Sequence, residues 1–259
     1  MTNYRIHQVD AFADRPFTGN PAAVVPLDRW LADDMLQAIA AENNLSETAF
    51  TIPAQDGADY ELRWFTPTIE VALCGHATLA AGHVLIEGES VRFATRKSGL
   101  LEVARAGEGY AMSLPLFPAE RKAMPEVVTA LGCVPRESLW NDNGYALIVL
   151  DSEQEVRALD PDFRRLGALG DVLTIVAAPG SQTDVISRSF APGAGIDEDP
   201  VTGTSHAVMT PYWTERLGRD HFTAYQASHR GGHVHCRLAG DRAVLGGRCV
   251  TVIEGALQL

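Results

Sequence analysis

The sequence predicts an α+β protein of two similar halves, each a curled sheet around a central helix. Three observations predict this. Short segments alternate apolar and polar residues between Gly, Pro, Asp and Asn clusters, the period of half-buried strands. Two helical segments open on a glycine followed by small residues, at Gly75 and at Gly203. A phenylalanine-x-proline sequence precedes each: seven residues separate Phe65-Thr66-Pro67 from Gly75, and ten separate Phe190-Ala191-Pro192 from Gly203. Matched flanking elements turn this pair into a duplication signal, with a spacing far too long for a solenoid repeat.

Taken in order, residues 4–12, 22–26, 47–52, 60–65, 90–94, 100–104 and 110–114 read as strands, bounded by turns such as Gly19-Asn20-Pro21, Asp56-Gly57 and Gly107-Glu108-Gly109. Leu62 and Trp64 alternate with polar neighbours, as one face of a strand requires. Residues 33–43 carry Leu36, Ile39 and Ala40 on one helical face, with Asp33 and Asp34 at the positive helix start. Residues 75–87 are small and apolar nearly all round, so that helix is expected to be buried on every side. The second half repeats the scheme. A short helix spans 125–131, strands span 145–150, 173–177 and 184–190, and a helix spans 203–217. Closing strands follow at 223–226, 232–238, 242–245 and 249–253. Pro115-Leu116-Phe117-Pro118 reads as the linker. The expected division is 1–116, completed by a terminal strand near 250–259, and 117–249.

Composition narrows the function. The 259 residues carry 33 acids and 21 bases, a net charge of −12. Such a surface repels phosphate backbones, so nucleic acid is not an expected partner, while a local pocket for a small anion stays open. No basic leader with an apolar run and no membrane-length apolar stretch is present, so no membrane association is expected. Cys74, Cys133, Cys236 and Cys249 are scattered without paired spacing, which suits a reducing cytoplasm and buried thiols. His233-Val234-His235-Cys236 looks like a metal run, but there is no second ligand cluster, and no metal is expected. Gly107-Glu108-Gly109 and Gly246-Gly247 read as hairpin turns. No dinucleotide or P-loop glycine pattern follows a strand, and no cofactor is expected.

Three constellations carry chemistry. Leu73-Cys74-Gly75-His76-Ala77-Thr78 is a helix start whose unpaired N–H groups suit a carboxylate or phosphate, with His76 able to add a proton or hydrogen bond. The plainer reading is a tight turn with a satisfied core histidine. Asp197-Glu198-Asp199-Pro200-Val201-Thr202-Gly203-Thr204-Ser205-His206 occupies the matching place in the other half. Its plainer readings are a solvated acidic loop and a helix capped by Thr202 or Thr204. Two such starts facing one cleft would hold a small carboxylate. Asn43-Asn44-Leu45-Ser46-Glu47-Thr48 puts Glu47 at a strand start beside Leu45, Ala49 and Phe50, an apolar setting suited to proton exchange. An ordinary edge-strand glutamate is the plainer reading. Phe17-Thr18-Gly19-Asn20-Pro21 reads as a turn lining the cleft. Gln226-Ala227-Ser228-His229-Arg230-Gly231-Gly232 reads as a hairpin whose Arg230 is either anion-binding or structural.

Together these segments, with Gln8-Val9-Asp10-Ala11-Phe12 and Arg63-Trp64-Phe65-Thr66-Pro67, resemble the PhzF family of phenazine-biosynthesis-like isomerases and epimerases. The matching pieces run in family order along nearly the whole chain. The resemblance implies a diaminopimelate-epimerase-like fold of two pseudo-symmetric lobes, each a mostly antiparallel sheet around a helix. It implies Glu47 as acid/base, with His76 and Asp199 beside the reacting atoms, and substrate contacts at Asn20, Gly75, Gly203 and Thr204. Where the phenazine enzyme usually has Ser, Thr204 adds a methyl and narrows the pocket. The expectation is a cofactor-independent isomerase or epimerase moving a proton on a small carboxylate in the cleft, cytoplasmic, with homodimerisation common among relatives. Two alternatives stand beside it. One is a small-anion-binding or scaffold protein of the same fold without catalysis. The other is a racemase using two cysteines, which the lack of a thiol in Thr202-Gly203-Thr204-Ser205 argues against.

Overall fold

The computed structural model describes residues 2–259. The first part of the chain forms β1 (Asn3–Ala11), β2 (Asn20–Pro26), α1 (Asp33–Asn43), β3 (Glu47–Pro53), β4 (Tyr60–Phe65), β5 (Glu70–Val71), α2 (Gly75–Leu85), β6 (Ser90–Thr95), β7 (Leu100–Ala106) and β8 (Gly109–Pro115). Then follow β9 (Glu120–Arg121), α3 (Pro125–Leu131), β10 (Glu137–Asn141), β11 (Tyr145–Val149), α4 (Glu153–Ala158), α5 (Phe163–Gly167), β12 (Leu173–Pro179) and β13 (Val185–Phe190). The chain closes with α6 (Gly203–Leu217), β14 (His221–Gln226), β15 (Gly232–Ala239), β16 (Arg242–Gly247) and β17 (Cys249–Gln258). Contacts divide it into two compact units, Met1–Ser113 with Gly246–Leu259, and Leu114–Leu245.

In the first unit β1 pairs antiparallel with β2 and β17, and β2 runs parallel to β3. From there β3–β4 is antiparallel, β4 runs parallel to β6, and β6–β7–β8 continue antiparallel. The strands curl around α2, which packs against β1, β2, β3, β6, β7 and β17. Its composition is the reason: Gly75 through Gly82 are all buried, and no polar stripe exists to turn toward water. At Gly82 the fit leaves no room for a side chain, because an added Cβ would lie 2.4 Å from Val103 Cγ1. Outside the sheet, α1 buries Leu36, Ile39 and Ala40 against Val25, Leu27, Phe50 and Phe65. It ends on Asn44, held left-handed at φ 48°, a conformation asparagine tolerates better than most side chains.

The second unit uses the same plan. β10 pairs antiparallel with β11, β11 runs parallel to β12, β12 pairs antiparallel with β13, and β13 runs parallel to β14. β14 pairs antiparallel with β15. Its central helix, α6, packs on β11, β14 and β15. The duplication read from Phe65 and Phe190 appears in the topology. Each phenylalanine ends an antiparallel strand, β4 or β13, and the chain then passes through the small-residue helix into a parallel neighbour, β6 or β14.

Several elements were not anticipated. α4 carries a capping box, Ser152 accepting from the Glu155 N–H and Glu155 reaching back to the Ser152 N–H, and α5 is capped by Asp162. Both helices are too short for a hydrophobic period to show. β5 and β9 are two-residue strands, and β10 is a further strand of five residues. The expected hairpin at Gly246-Gly247 is instead the end of β16, where a Cβ on Gly247 would lie 2.4 Å from Phe12 Cδ1. Glycine is there for close approach rather than for turning. His233 and His235 point outward on β15 while Val234 and Cys236 are buried, as strand alternation requires. No helix among the described residues is long and apolar enough to cross a membrane.

Candidate active site

In the first unit, three loops converge on one imidazole. The left-handed Asn44 turns the chain through Ser46 into β3, whose first residue is Glu47, 9% exposed. The chain leaving β5 reaches α2 through Cys74, whose extended backbone makes it the N-cap and whose side chain makes no capping bond. Gly75 and His76 are the first helical residues, so their amide N–H groups precede any intrahelical partner. His76 Nε2 lies 3.1 Å from Glu47 Oε2. The ring N–H is not aimed along that line: neither atom completes an aligned hydrogen bond, and both are buried. Two opposed polar atoms without partners are costly in a protein interior unless a ligand uses them.

The far side of the ring is fully engaged. Asn20 Nδ2 lies 3.2 Å from His76 Nδ1, the Ser46 hydroxyl donates to Asn20 Oδ1 at 3.2 Å, and Cys74 Sγ lies 3.5 Å from Nδ1. Asn20 reaches this place because Gly19, at φ +66°, packs where a Cβ would lie 2.2 Å from the Ala11 carbonyl oxygen. Asn20 then opens β2 opposite Ala11. The structure buries Asn20 completely, against the histidine ring.

Burial alone would pull His76 toward its neutral form, yet the negative charges offered by Cys74 and Glu47 carry it above the ordinary histidine value. Cys74 contributes only as a thiolate, and burial first, then Glu47, pushes that thiol up to about 11. At neutral pH, therefore, Glu47 alone supplies the charge that faces the ring.

The second unit holds a separate cluster. Of its three neighbouring acids, Asp197 is exposed and Glu198 forms a bidentate pair with Arg188 at 2.7 and 3.0 Å. Asp199 alone is buried, at 9% exposure. Thr202 occupies the N-cap of α6 but does not cap it, contrary to the plainer reading of Thr202 or Thr204; its hydroxyl donates to Asp199 Oδ2 at 2.5 Å. Gln226 locks this loop, donating to the Asp199 carbonyl at 2.7 Å and accepting from the Thr202 N–H at 2.9 Å. Ser228 donates to the Pro200 carbonyl. Sequence reasoning singled out Arg230 in this hairpin and overlooked Gln226 and Ser228, two residues that hold the loop. Gly203 is the first helical residue, buried, and Thr204 is half-buried beside it. His206 is fully buried and its Nδ1 faces the Thr202 carbonyl oxygen at 2.8 Å. With no charge opposite it, burial lowers it to about 4, the carbonyl opposing only weakly.

Glu47, Cys74 and His76 each offer a ligand atom within 4.8 Å of the others. The thiol approaches Nδ1 and the carboxylate approaches Nε2, on diverging sides of the ring, so this arrangement does not suit one ion. Burial also pushes the Cys133, Cys236 and Cys249 thiols up. The buried guanidinium of Arg63, between Trp30 and Phe65 and paired with Glu70, accounts for the arginine of the Arg63–Pro67 segment as scaffold.

The repeated α+β units and this buried carboxylate–imidazole pair mark a fold of the epimerase and isomerase class. Residues 9–255 match the model of the phenazine biosynthesis-like (PhzC-PhzF) family, and the chain belongs to that family. An uncharacterized isomerase of Pseudomonas aeruginosa is 49% identical over 98% of both chains. The human phenazine biosynthesis-like domain-containing protein is 39% identical over 96% of both. A crystal structure of a PhzF-family protein from Enterococcus faecalis superposes with a TM-score of 0.94 at 42% identity, covering all of both chains. A hydroxyproline epimerase from Agrobacterium vitis, 12% identical with a TM-score of 0.56 over 98% of this chain and 92% of that one, shares the fold alone.

Proposed function

We propose that this chain is an isomerase that moves a proton on a small carboxylic acid, with Glu47 as the group that takes and returns it. The observation that carries the reading is the 3.1 Å approach of Glu47 Oε2 to His76 Nε2, both buried and both lacking an aligned partner. A substrate group reaching both atoms from the open side would satisfy both. The start of α2 supplies the complementary half: the Gly75 and His76 amides lie at its positive end with no side-chain cap competing for them. A carboxylate held there gains negative charge as the adjacent carbon loses its proton, and fixed amides stabilise that charge in the transition state. Glu47 accepts the proton as the C–H bond breaks. The electron pair passes into the carboxylate and returns to carbon when the proton is delivered to another carbon or to the opposite face. No electrons are gained or lost overall, so acid and base groups suffice. The proposal gives the amides at Gly203 and Thr204 the same task of holding a carboxylate, and gives Asp199 that of positioning or exchanging a proton.

The test is proton–deuterium exchange in D₂O, followed by NMR over a panel of amino acids and cyclic hydroxy acids. Wild type should exchange one carbon-bound proton of its substrate. Glu47→Gln should lower that rate about 10³-fold, within the usual range for losing a general base. Exchange unchanged by Glu47→Gln removes Glu47 from the chemistry. Tight binding of an acid with no exchange favours an anion-binding protein instead.

A further inference from the structure

We propose that the second unit binds the phosphate group of a small soluble molecule in an outer groove at the end of β9 and the start of β10. None of the residues given a part in proton transfer lines it. The groove is open, about 490 Å³ in volume, and lined by Arg121, Lys122, Ala123, Arg136, Glu137 and Ser138. Three of these six residues are cations and one is an acid, on a chain whose net charge is −12. The backbone fixes where they emerge. Lys122 directly follows β9, and its N–H donates to the Ser138 carbonyl at 3.0 Å, so the two residues lie opposite each other. Strand alternation puts Ser138 and Trp140 on one face of β10, and the Lys122 Nζ lies 4.6 Å from the centre of the Trp140 ring. Arg136 directly precedes β10, and its N–H donates to the Val149 carbonyl at 2.8 Å.

The charges in this groove do not cancel. Glu137, its one acid, is shared: Arg121 pairs with it at 3.0 Å, Arg216 pairs with it too, and the Tyr212 hydroxyl donates to it at 3.2 Å. Its single charge therefore offsets one of two guanidiniums. Arg136 meets Asp151 only at 3.5 Å, with side chains 58% and 68% exposed, a pair worth little. Lys122 and the nearby Glu120 make no ion pair among the described residues. Lys122 rests on Trp140 instead, which holds the ammonium in place without neutralising it. The neighbouring groove, lined by Arg121, Glu137, Leu139, Tyr212, Glu215 and Arg216, differs: its two arginines meet two acids. An ammonium, a guanidinium fork and the Ser138 hydroxyl offer donors in different planes. That suits the tetrahedral oxygens and double charge of a phosphate better than a flat, singly charged carboxylate. Ala123 is the one apolar residue in the lining, so the groove gives an apolar ligand little to bury against.

The experiment is isothermal titration of the whole chain with inorganic pyrophosphate in about 0.1 M chloride, with acetate as the carboxylate control. Pyrophosphate should bind with a dissociation constant below about 1 mM, and more tightly than acetate. Lys122→Gln and Arg136→Gln should each weaken it about tenfold, the usual cost of one hydrogen bond to a charged group. Arg136→Lys, which keeps the charge and loses the fork, should fall between wild type and Arg136→Gln. Lys122 and Arg136 are exposed, so these variants should fold and melt like wild type. Arg92→Gln removes an exposed guanidinium of the first unit and should bind as wild type does, which controls for net charge. Binding that survives Lys122→Gln and Arg136→Gln combined overturns the proposal, because the anion then sits elsewhere. No binding up to about 10 mM overturns it as well. Vesicles carrying phosphatidic acid should leave the protein in solution when sedimented; capture on them that the double variant loses would make a lipid surface the partner and overturn the soluble ligand. The titration reads binding without turnover, so its outcome does not depend on the chemistry proposed for Glu47.

Discussion

Two buried histidines sit in the first turns of two matching helices, and they are pushed in opposite directions. His76 on α2 faces the Glu47 carboxylate and is carried upward; His206 on α6 faces a backbone carbonyl and falls to about 4. Burial is common to both. The difference lies in what the repeat places opposite each ring, a charge in one case and a peptide oxygen in the other. One copy of the duplicated helix start thus acquires a buried carboxylate–imidazole pair. The other uses its neighbouring acid, Asp199, within a hydrogen-bonded loop clamped by Gln226.

Substitutions can break this contrast, and the largest effect belongs to Glu47. Its replacement by Gln should remove about three orders of magnitude from exchange while leaving thermal stability near wild type. His206 comes next, and its effect is on stability. Its native value, about 4, lies below the 6.5 of an unfolded histidine. The unfolded chain therefore binds the proton first, and stability that is complete above about pH 6.5 is lost as the pH falls toward 4, by about 3 kcal/mol. Denaturant titrations of His206→Gln should show a flatter acid limb across that window, and an unchanged limb would assign the loss to other groups. Thr202→Val is smaller. It removes the hydroxyl that donates to Asp199 Oδ2, at a cost of about 1 kcal/mol in unfolding free energy. An accompanying fall in exchange would tie Asp199 to the chemistry, and unchanged exchange would confine Asp199 to a structural part. Cys74→Ser should matter least. Serine keeps a donor beside His76 Nδ1, and exchange should stay within about threefold; complete loss would return the thiol to consideration.

Much of this was legible in the sequence, and the reasons differ by element. The bounds of α1, α3 and α6 follow from residues that act locally: acids at the start of α1, Pro125 opening α3, and Gly218 closing α6 in the left-handed region. Burial of α2 on every side follows from its composition. The pairing of Glu47 with His76 was approached through the family resemblance, since their separation of 29 positions carries no local signal. The hydrogen bonds of Asn20, Ser46 and Gln226 were not legible for the same reason. Each residue acts by a hydrogen bond across the fold, and nothing in its neighbours announces a partner 24 to 56 residues away. The acids at 197–199 show the converse: three alike in sequence separate into a solvated residue, an ion pair and a buried carboxylate only when the chain folds.

The missing side chain at Gly82 has a lasting effect on what this scaffold can become. Because Val103 already fills the space an added methyl would need, the separation between α2 and β7 is set by an inert contact two turns away from His76. That contact works as a shim. Thicken it by a single carbon and the whole rod must slide or tilt, taking its leading amides and imidazole along. Drift in the lining of such a curled sheet can therefore detune chemistry without altering any group that performs it.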